Sequence, residues 1–296
     1  MSALFLDNEA EYLSWKTEKQ HHYPHSLAEL VVEVEDPFAL TPHEVSALLT
    51  RCAKSNMALF RLTHPERIQE NPLPALTARL GIHQVDKNLG ADGDGVSALT
   101  PGGSAHAPFA HYIPYREAAI GWHTDGYYNP IDQPVQSLCL YCERPAQEGG
   151  ENELLDHDLV YIRLRDQHPE ALRALMEPDV MTIPARLAED GTIARPERTG
   201  PVFFVTAAGH LQMRFTNRTK SIRWRDEAAT QTAVEILRQI LRDAEPIRFR
   251  GRLEQGWGLI SNNVLHTRAG FSDPPGGLRR VLYRARYFDR LPTGAA

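Results

Sequence analysis

Apolar residues recur along this chain with two different periods, and the changes between them mark its elements. Thr41, Pro42 and Glu44 open a helix: a capping hydroxyl, a proline at the first helical position, and a glutamate placed to reach back to the cap. The helix is predicted to run to about Ala53. Residues 58–62 read as a strand. Residues 159–176 carry a helical period with a break at Pro169, which cannot continue the hydrogen-bonded turn. Residues 202–215 read as strands joined at Ala207, Ala208 and Gly209. The clearest amphipathic helix covers 226–244, where Val234, Leu237, Ile240 and Leu241 form one stripe and Asp226 is the expected cap. Residues 109–141 alternate strand-like segments with turns, and residues 257–260 and 281–288 read as closing strands.

Strands on both sides of a long helical insertion suit a mainly β, α+β fold. The expected form is a double-stranded β-helix, or jelly roll, with flanking helices. All-β folds often run this long as one unit, so the 296 residues are expected to form a single domain. Residues 1–108 would be its mixed N-terminal part, with the helix and strand at 41–62 bracing one side. Residues 109–290 would be the jelly-roll core with its helical insertion. Residues 88–107, rich in Gly, Ala, Ser and Asp, read as a long loop and a candidate lid.

Candidate chemistry lies in two segments. His123 and Asp125 flank Thr124; on a strand they point to one side while Thr124 points away. His266 follows far along the chain. Two imidazoles and one carboxylate on one face of an Fe(II) ion leave neighbouring positions open for a co-substrate and O₂. Arginine suits such a co-substrate, because its planar fork grips a carboxylate through two parallel hydrogen bonds. Arg280 and Arg284 follow the turn 272–277, which is expected to return the chain as a strand beside that of His266. An even separation would place Arg280 and Arg284 on one face and Arg279 on the other.

The ordered set His123-Thr124-Asp125, Gly149-Gly150-Glu151-Asn152, His266, Arg280 and Arg284 resembles the taurine dioxygenase-like branch of the Fe(II)/2-oxoglutarate oxygenases, whose relatives include clavaminate synthase. The resemblance runs from about Ile113 to Phe288. It implies a single catalytic domain that oxidises, most simply by hydroxylation, a small carboxylate- or amino-acid-type metabolite with O₂, releasing succinate and CO₂. It implies His123, Asp125 and His266 as iron ligands and Arg280 as the grip on the distal carboxylate of 2-oxoglutarate. Arg284 would lie near the co-substrate or the substrate anion. Asn152 stands where the family usually has Thr or Ser; its amide can still donate a hydrogen bond to a carboxylate. Arg214 and Arg218 are candidate anion contacts, and Tyr127 and Tyr128, with Trp122, candidate walls of a substrate pocket.

Composition narrows the partners. A hydrophobic fraction of 42% and a charged fraction of 24% are ordinary for a globular protein. A net charge of −6 argues against general nucleic-acid binding, which favours basic surfaces. No stretch approaches the roughly 18 apolar residues of a membrane span. The N-terminus lacks the basic start and apolar run of a signal peptide. Three cysteines make no disulfide framework; Cys139 and Cys142 are expected as core residues on opposite strand faces. The expectation is a cytoplasmic enzyme with a small-molecule substrate, its oligomeric state left open. Two competing readings are a non-catalytic cupin-like metal- or ligand-binding sensor and a metal-dependent hydrolase. The first has no need of a co-substrate clamp, and the second would usually add further carboxylates or histidines.

Overall fold

The computed structural model describes residues 6–87, 95–101, 113–188, 190–218 and 222–292. Its main elements in chain order are α1 (Glu9–Gln20), β1 (Val31–Val34), α2 (Pro42–Ser55), β2 (Met57–Leu62), α3 (Leu73–Arg79), β3 (Ser97–Leu99), β4 (Ile120–His123), β5 (Ser137–Arg144), β6 (Asn152–Leu155), α4 (His157–Gln167), α5 (Pro169–Leu175), α6 (Ala228–Arg242), β7 (Arg248–Gly251), β8 (Trp257–Ser261), β9 (Leu265–Arg268) and β10 (Val281–Tyr287). Ten strands form two larger sheets, one of six in the order β1-β2-β8-β5-β10-β3 and one of four in the order β7-β6-β9-β4. Helix and sheet are thus mixed. No described helix is long and apolar enough to cross a membrane.

The chain divides into two compact units. One comprises Pro24–Ile120, Val135–Leu154 and Phe249–Ala296. Here the pairing of β1 with β2 is parallel, and β8, β5, β10 and β3 pair antiparallel. Strand alternation sends Tyr283, Ala285 and Tyr287 into an apolar cluster with Leu48, Leu49 and Cys52 of α2 and Leu73 and Leu76 of α3. Those helices brace one face of the six-stranded sheet, as the 41–62 pattern predicts. The α2 start carries the full capping box: Thr41 Oγ1 accepts from Glu44 N at 3.2 Å, and Glu44 Oε2 accepts from Thr41 N at 2.7 Å. The helix ends at Asn56, in the left-handed region at φ 57°. Cys139 joins the apolar cluster, and all three cysteines are free and buried.

Two expectations in this unit change. Ser97–Leu99, inside the predicted 88–107 loop, is an edge strand paired to β10. Residues 88–94 and 102–107 of that candidate lid lie outside the described residues. The strand of Arg280 is not the neighbour of the His266 strand. β10 lies between β5 and β3, whereas β9 lies between β6 and β4 in the other sheet. After β9, Phe271–Ser272 pairs briefly with Glu148–Gly149, and the proline- and glycine-rich turn then carries the chain to the six-stranded sheet.

The second unit comprises Met1–Tyr23, Gly121–Pro134 and Leu155–Arg248. The predicted break at Pro169 separates α4 from α5. Strands Phe203–Val205 and Leu211–Met213 pair antiparallel across the predicted turn. The α6 stripe is buried as expected. Its cap is Glu227 rather than Asp226, and no side-chain hydrogen bond caps it, because Glu227 is drawn into an ion pair with Arg225 at 2.5 Å. Helix α1 is pinned to the start of α4 by buried charge. Lys19 Nζ meets Asp156 at 2.8 Å and Asp158 at 2.7 Å, and Tyr23 donates to Asp156 at 3.2 Å.

Candidate metal centre

The His-x-Asp segment is held from its back side. β4 ends at His123, and the chain beyond it pairs with residues 215–217. Thr124 N donates to Phe215 O at 3.0 Å, Phe215 N donates to Thr124 Oγ1 at 3.1 Å, and Asn217 N donates to Trp122 O at 2.8 Å. Thr124 is fully buried there. Its neighbours turn the other way together, so His123 Nε2 comes within 3.7 Å of Asp125 Oδ1. The expected convergence therefore holds although Asp125 lies two residues past the strand, in a turn completed by Gly126 at φ 66°.

His266 sits on β9, and the turn before it is set by two asparagines. Asn262 donates through Nδ2 to Asn56 Oδ1 at 3.0 Å and through its backbone N–H to Asn56 O at 2.8 Å. Asn263 adopts φ 52° and donates to Val135 O at 2.9 Å. A short polar side chain is among the few that tolerate this left-handed conformation. Arg268, two residues past His266, is buried. It donates to the carbonyls of Pro114 at 3.0 Å, Ala118 at 2.7 Å and Arg116, so it clamps the segment that leads into β4. Burial lowers its pKa to about 10. The sequence gives no signal for this role, since nothing in the spacing points to those carbonyls.

One ligand atom from each of His123, Asp125 and His266 lies within 4.8 Å of the other two, the one such group of His, Cys, Asp or Glu among the described residues. Both imidazoles are oriented alike. His123 Nδ1 lies 2.9 Å from Gly121 O, and His266 Nδ1 lies 3.0 Å from Val264 O. A carbonyl only accepts, so each Nδ1 carries a hydrogen and Nε2 is the ring nitrogen for a metal, the arrangement that metal-ligating histidines use. Two imidazole nitrogens and a carboxylate oxygen are the donor set of a facial Fe(II) site.

The residues expected to serve the co-substrate lie on β6 and at or just before β10. Arg280 is 4% exposed and stacks on Phe271 at 5.0 Å. Its backbone N–H donates to Asp273, while its side-chain Nη1 is buried without a hydrogen-bond partner. Burial lowers its pKa, against the opposing pull of Cys142 and Asp273. A buried guanidinium with an N–H unmatched fits an incoming carboxylate. Arg284 is half-buried on the strand face opposite Tyr283, and Arg279 instead donates to Pro101 O at 2.7 Å. Cys142 lies near Arg280, yet burial still raises its thiol to about 12. Asn152 is brought alongside by the Gly149-Gly150 turn. A Cβ on Gly149 would meet Gly270 O at 2.2 Å, so only glycine lets these strands approach. Asn152 Nδ2 donates to Thr267 O at 2.9 Å, and its Oδ1 is buried without a partner. Asn152 also lines a small, largely apolar pocket with Leu59, Leu140, Leu154 and Leu259.

The substrate candidates separate. The Arg214 guanidinium is taken up by four backbone carbonyls: Tyr127 at 2.7 Å, Arg198 at 2.8 Å, and Met181 and Gly200 at 3.2 Å each. It is a structural clamp, with little left to offer an anion. Arg218 is exposed. Tyr127 and Tyr128 are half-buried and meet edge to face at 5.3 Å.

The chain matches the family described as "Taurine catabolism dioxygenase TauD, TfdA family" over residues 21–286. It is 32% identical over 195 residues to a uridine-5'-phosphate dioxygenase of Streptomyces sp, a match spanning 63% of this chain and 67% of that protein. It is 32% identical over 174 residues to a uridine-5'-phosphate dioxygenase of Amycolatopsis sp, spanning 56% of this chain and 60% of that one. Among solved structures it is similar to an asparagine oxygenase in complex with Fe(II), 3-hydroxyasparagine and succinate, at TM-score 0.59 and 14% identity, over 87% of this chain and 93% of that one. It is also similar to the non-heme iron oxygenase OrfP in complex with Fe and alpha-ketoglutaric acid, at TM-score 0.56 and 18% identity, over 84% and 83% of the two chains. With the ligand trio assembled and the match running through nearly all of the chain, this protein belongs to the TauD/TfdA dioxygenase family.

Proposed function

We infer that this chain is an Fe(II)- and 2-oxoglutarate-dependent dioxygenase that hydroxylates a small anionic metabolite and releases succinate and CO₂. The observation that carries the reading is the convergence of His123, Asp125 and His266, with both imidazoles oriented by carbonyls at Nδ1. Iron bound there supplies the O₂-activating chemistry. The chain supplies the rest: fixed tautomers, a carboxylate that offsets the metal's charge, and a grip for the co-substrate. Arg280 holds the distal carboxylate of 2-oxoglutarate through its buried Nη1. Asn152, on β6 of the other sheet, offers that carboxylate its second amide N–H, the first being given to Thr267 O, and Arg284 serves the co-substrate or the substrate anion.

The two larger sheets are the two halves of a jelly roll, and residues 1–296 act as one catalytic domain. Tyr127 and Tyr128, directly after the ligand Asp125, form a wall of the substrate pocket. Curated relatives are named for uridine 5'-phosphate, and the similar solved structures for amino-acid oxygenases. Both classes fit a compact, charged substrate. The test is a panel of amino acids, small carboxylates and nucleoside phosphates screened for stimulated succinate formation with Fe(II) and 2-oxoglutarate. At least one should stimulate it in the wild type and none in Asp125→Ala; succinate formation by Asp125→Ala at the wild-type rate would reject the reading.

A further inference from the structure

The segment after Asp125 rests on a basic hairpin. Tyr127 accepts from Arg214 through its carbonyl, and Arg214 also binds the carbonyls of Met181, Arg198 and Gly200. Those residues belong to the pair Met181–Ile183 and Arg198–Gly200, whose chain extends into the hairpin Arg186–Leu187 and Ile193–Arg195. Tyr127 is thereby tied to that strand pair, and Tyr128 lies against Arg195 of the hairpin.

Arg195 is placed differently from the clamp Arg214. Its guanidinium lies over the Tyr128 ring at 5.5 Å and donates through Nη2 to Pro184 O at 2.7 Å. Its Nη1 is buried and has no hydrogen-bond partner. Among the described residues no carboxylate pairs with Arg195. Burial acts most strongly against its protonated form, and Arg186 and Arg198 add to that, while Tyr127 and Tyr128 oppose it. Glu197, the nearest acid in sequence, is turned toward Arg223 at 2.9 Å. A half-buried cation with an unmatched N–H, cross-strand from Arg186 and three residues before Arg198, is unfavourable until an anion joins it. Three guanidiniums suit a group with several charged oxygens better than a single carboxylate.

We propose that Arg195, with Arg186 and Arg198, forms a subsite for the phosphate group of a phosphate-monoester substrate, set beside the Tyr127-Tyr128 wall next to the ligand Asp125. This names the substrate class of the site inferred above and rests on that reading. The non-phosphate part of the substrate reaches toward the metal ligands, and the phosphate serves only as a handle.

The experiment measures equilibrium binding of a nucleoside 5'-monophosphate, its parent nucleoside and inorganic phosphate to the anaerobic protein loaded with Fe(II) and 2-oxoglutarate. Wild type, Arg195→Gln, Arg195→Lys and Arg198→Gln are compared. Wild type should bind the monophosphate at least about tenfold more tightly than the nucleoside, as a charge-assisted contact implies. Arg195→Gln should lose that advantage without weakening the nucleoside, Arg195→Lys should keep part of it, and Arg198→Gln should reduce it. Apparent affinity for 2-oxoglutarate should stay unchanged in all four. A monophosphate that binds no better than the nucleoside, or not at all, overturns the proposal, as does an undiminished advantage in both glutamine variants. The Fe(II)/2-oxoglutarate absorption of the same samples reports separately on the enzyme reading. Its absence with phosphate preference intact would count against that reading alone.

Discussion

At the residue scale, the account turns on which atoms are left with hydrogen-bonding capacity after the fold has taken its share. His123 and His266 give Nδ1 to backbone carbonyls, which orients both rings. Arg280 gives its backbone N–H to Asp273 and retains a buried Nη1. Asp125→Ala removes one of three ligands and should abolish Fe(II)-dependent succinate formation; turnover near the wild-type rate in a coupled assay would contradict the ligand assignment. Arg280→Leu should raise the KM for 2-oxoglutarate by about 10- to 100-fold, the worth of one charge-assisted contact, while thermal stability holds or improves because a buried cation is gone. An unchanged KM would move the role to Arg284. The convergence of His-x-Asp with the distal histidine was legible in sequence because few other chemistries need that order of residue types. The clamps were not. Arg214 and Arg268 bind carbonyls, which every residue has, so no pattern of side chains announces them.

At the scale of elements, the site depends on turns more than on strands. The Asn262-Asn263 turn connects β8 of one sheet to β9 of the other, and it is tied to Asn56, the left-handed cap of α2. Asn262→Ala strips donors and acceptors from Asn56 and from Leu291 N, which donates to Asn262 Oδ1 at 3.2 Å. The cost should be about 1–3 kcal/mol in urea unfolding, with a weaker affinity for Fe(II) because His266 follows four residues later. A variant with wild-type stability and metal affinity would show the turn to be dispensable. Helices α2 and α6 were legible from the stripe each buries, α2 also from its cap, and the division of α4 from α5 from Pro169. The placement of β10 was not. Local pattern makes 281–287 a strand, but its partners β5 and β3 are set by pairing with distant segments. Ser97–Leu99 was missed for a related reason: three residues are too few to show alternation, and the pairing with β10 makes the strand.

At the scale of the whole molecule, α1 is joined to α4 by an ionised network rather than by apolar contact alone. Burial lowers the Lys19 pKa, but Asp156 and Asp158 outweigh it, and the net shift is upward. Burial and Asp156 raise the Tyr23 pKa well above its usual value. Both groups hold their protons more tightly folded than unfolded, so their stabilisation is complete below the ordinary Tyr and Lys values and is lost as pH rises through and beyond them. Stability should therefore fall on the alkaline side above about pH 10, and Lys19→Met should flatten part of that fall. At neutral pH the same substitution should cost about 3–5 kcal/mol, since two buried carboxylates lose their cation. Denaturant melts from pH 7 to 11 check both points; identical alkaline slopes in the two proteins would contradict the first.

The central claim is that three side chains of this fold hold one ferrous ion against which 2-oxoglutarate binds. Anaerobic titration of Fe(II) into the protein with 2-oxoglutarate, followed by visible charge-transfer absorption, tests it most directly. Wild type should develop the band to saturation at one iron per chain, Asp125→Ala should not develop it, and Arg280→Leu should need far more 2-oxoglutarate to reach it. A wild-type protein without the band at saturating iron and 2-oxoglutarate, or an Asp125→Ala variant that matches wild type, would contradict the account.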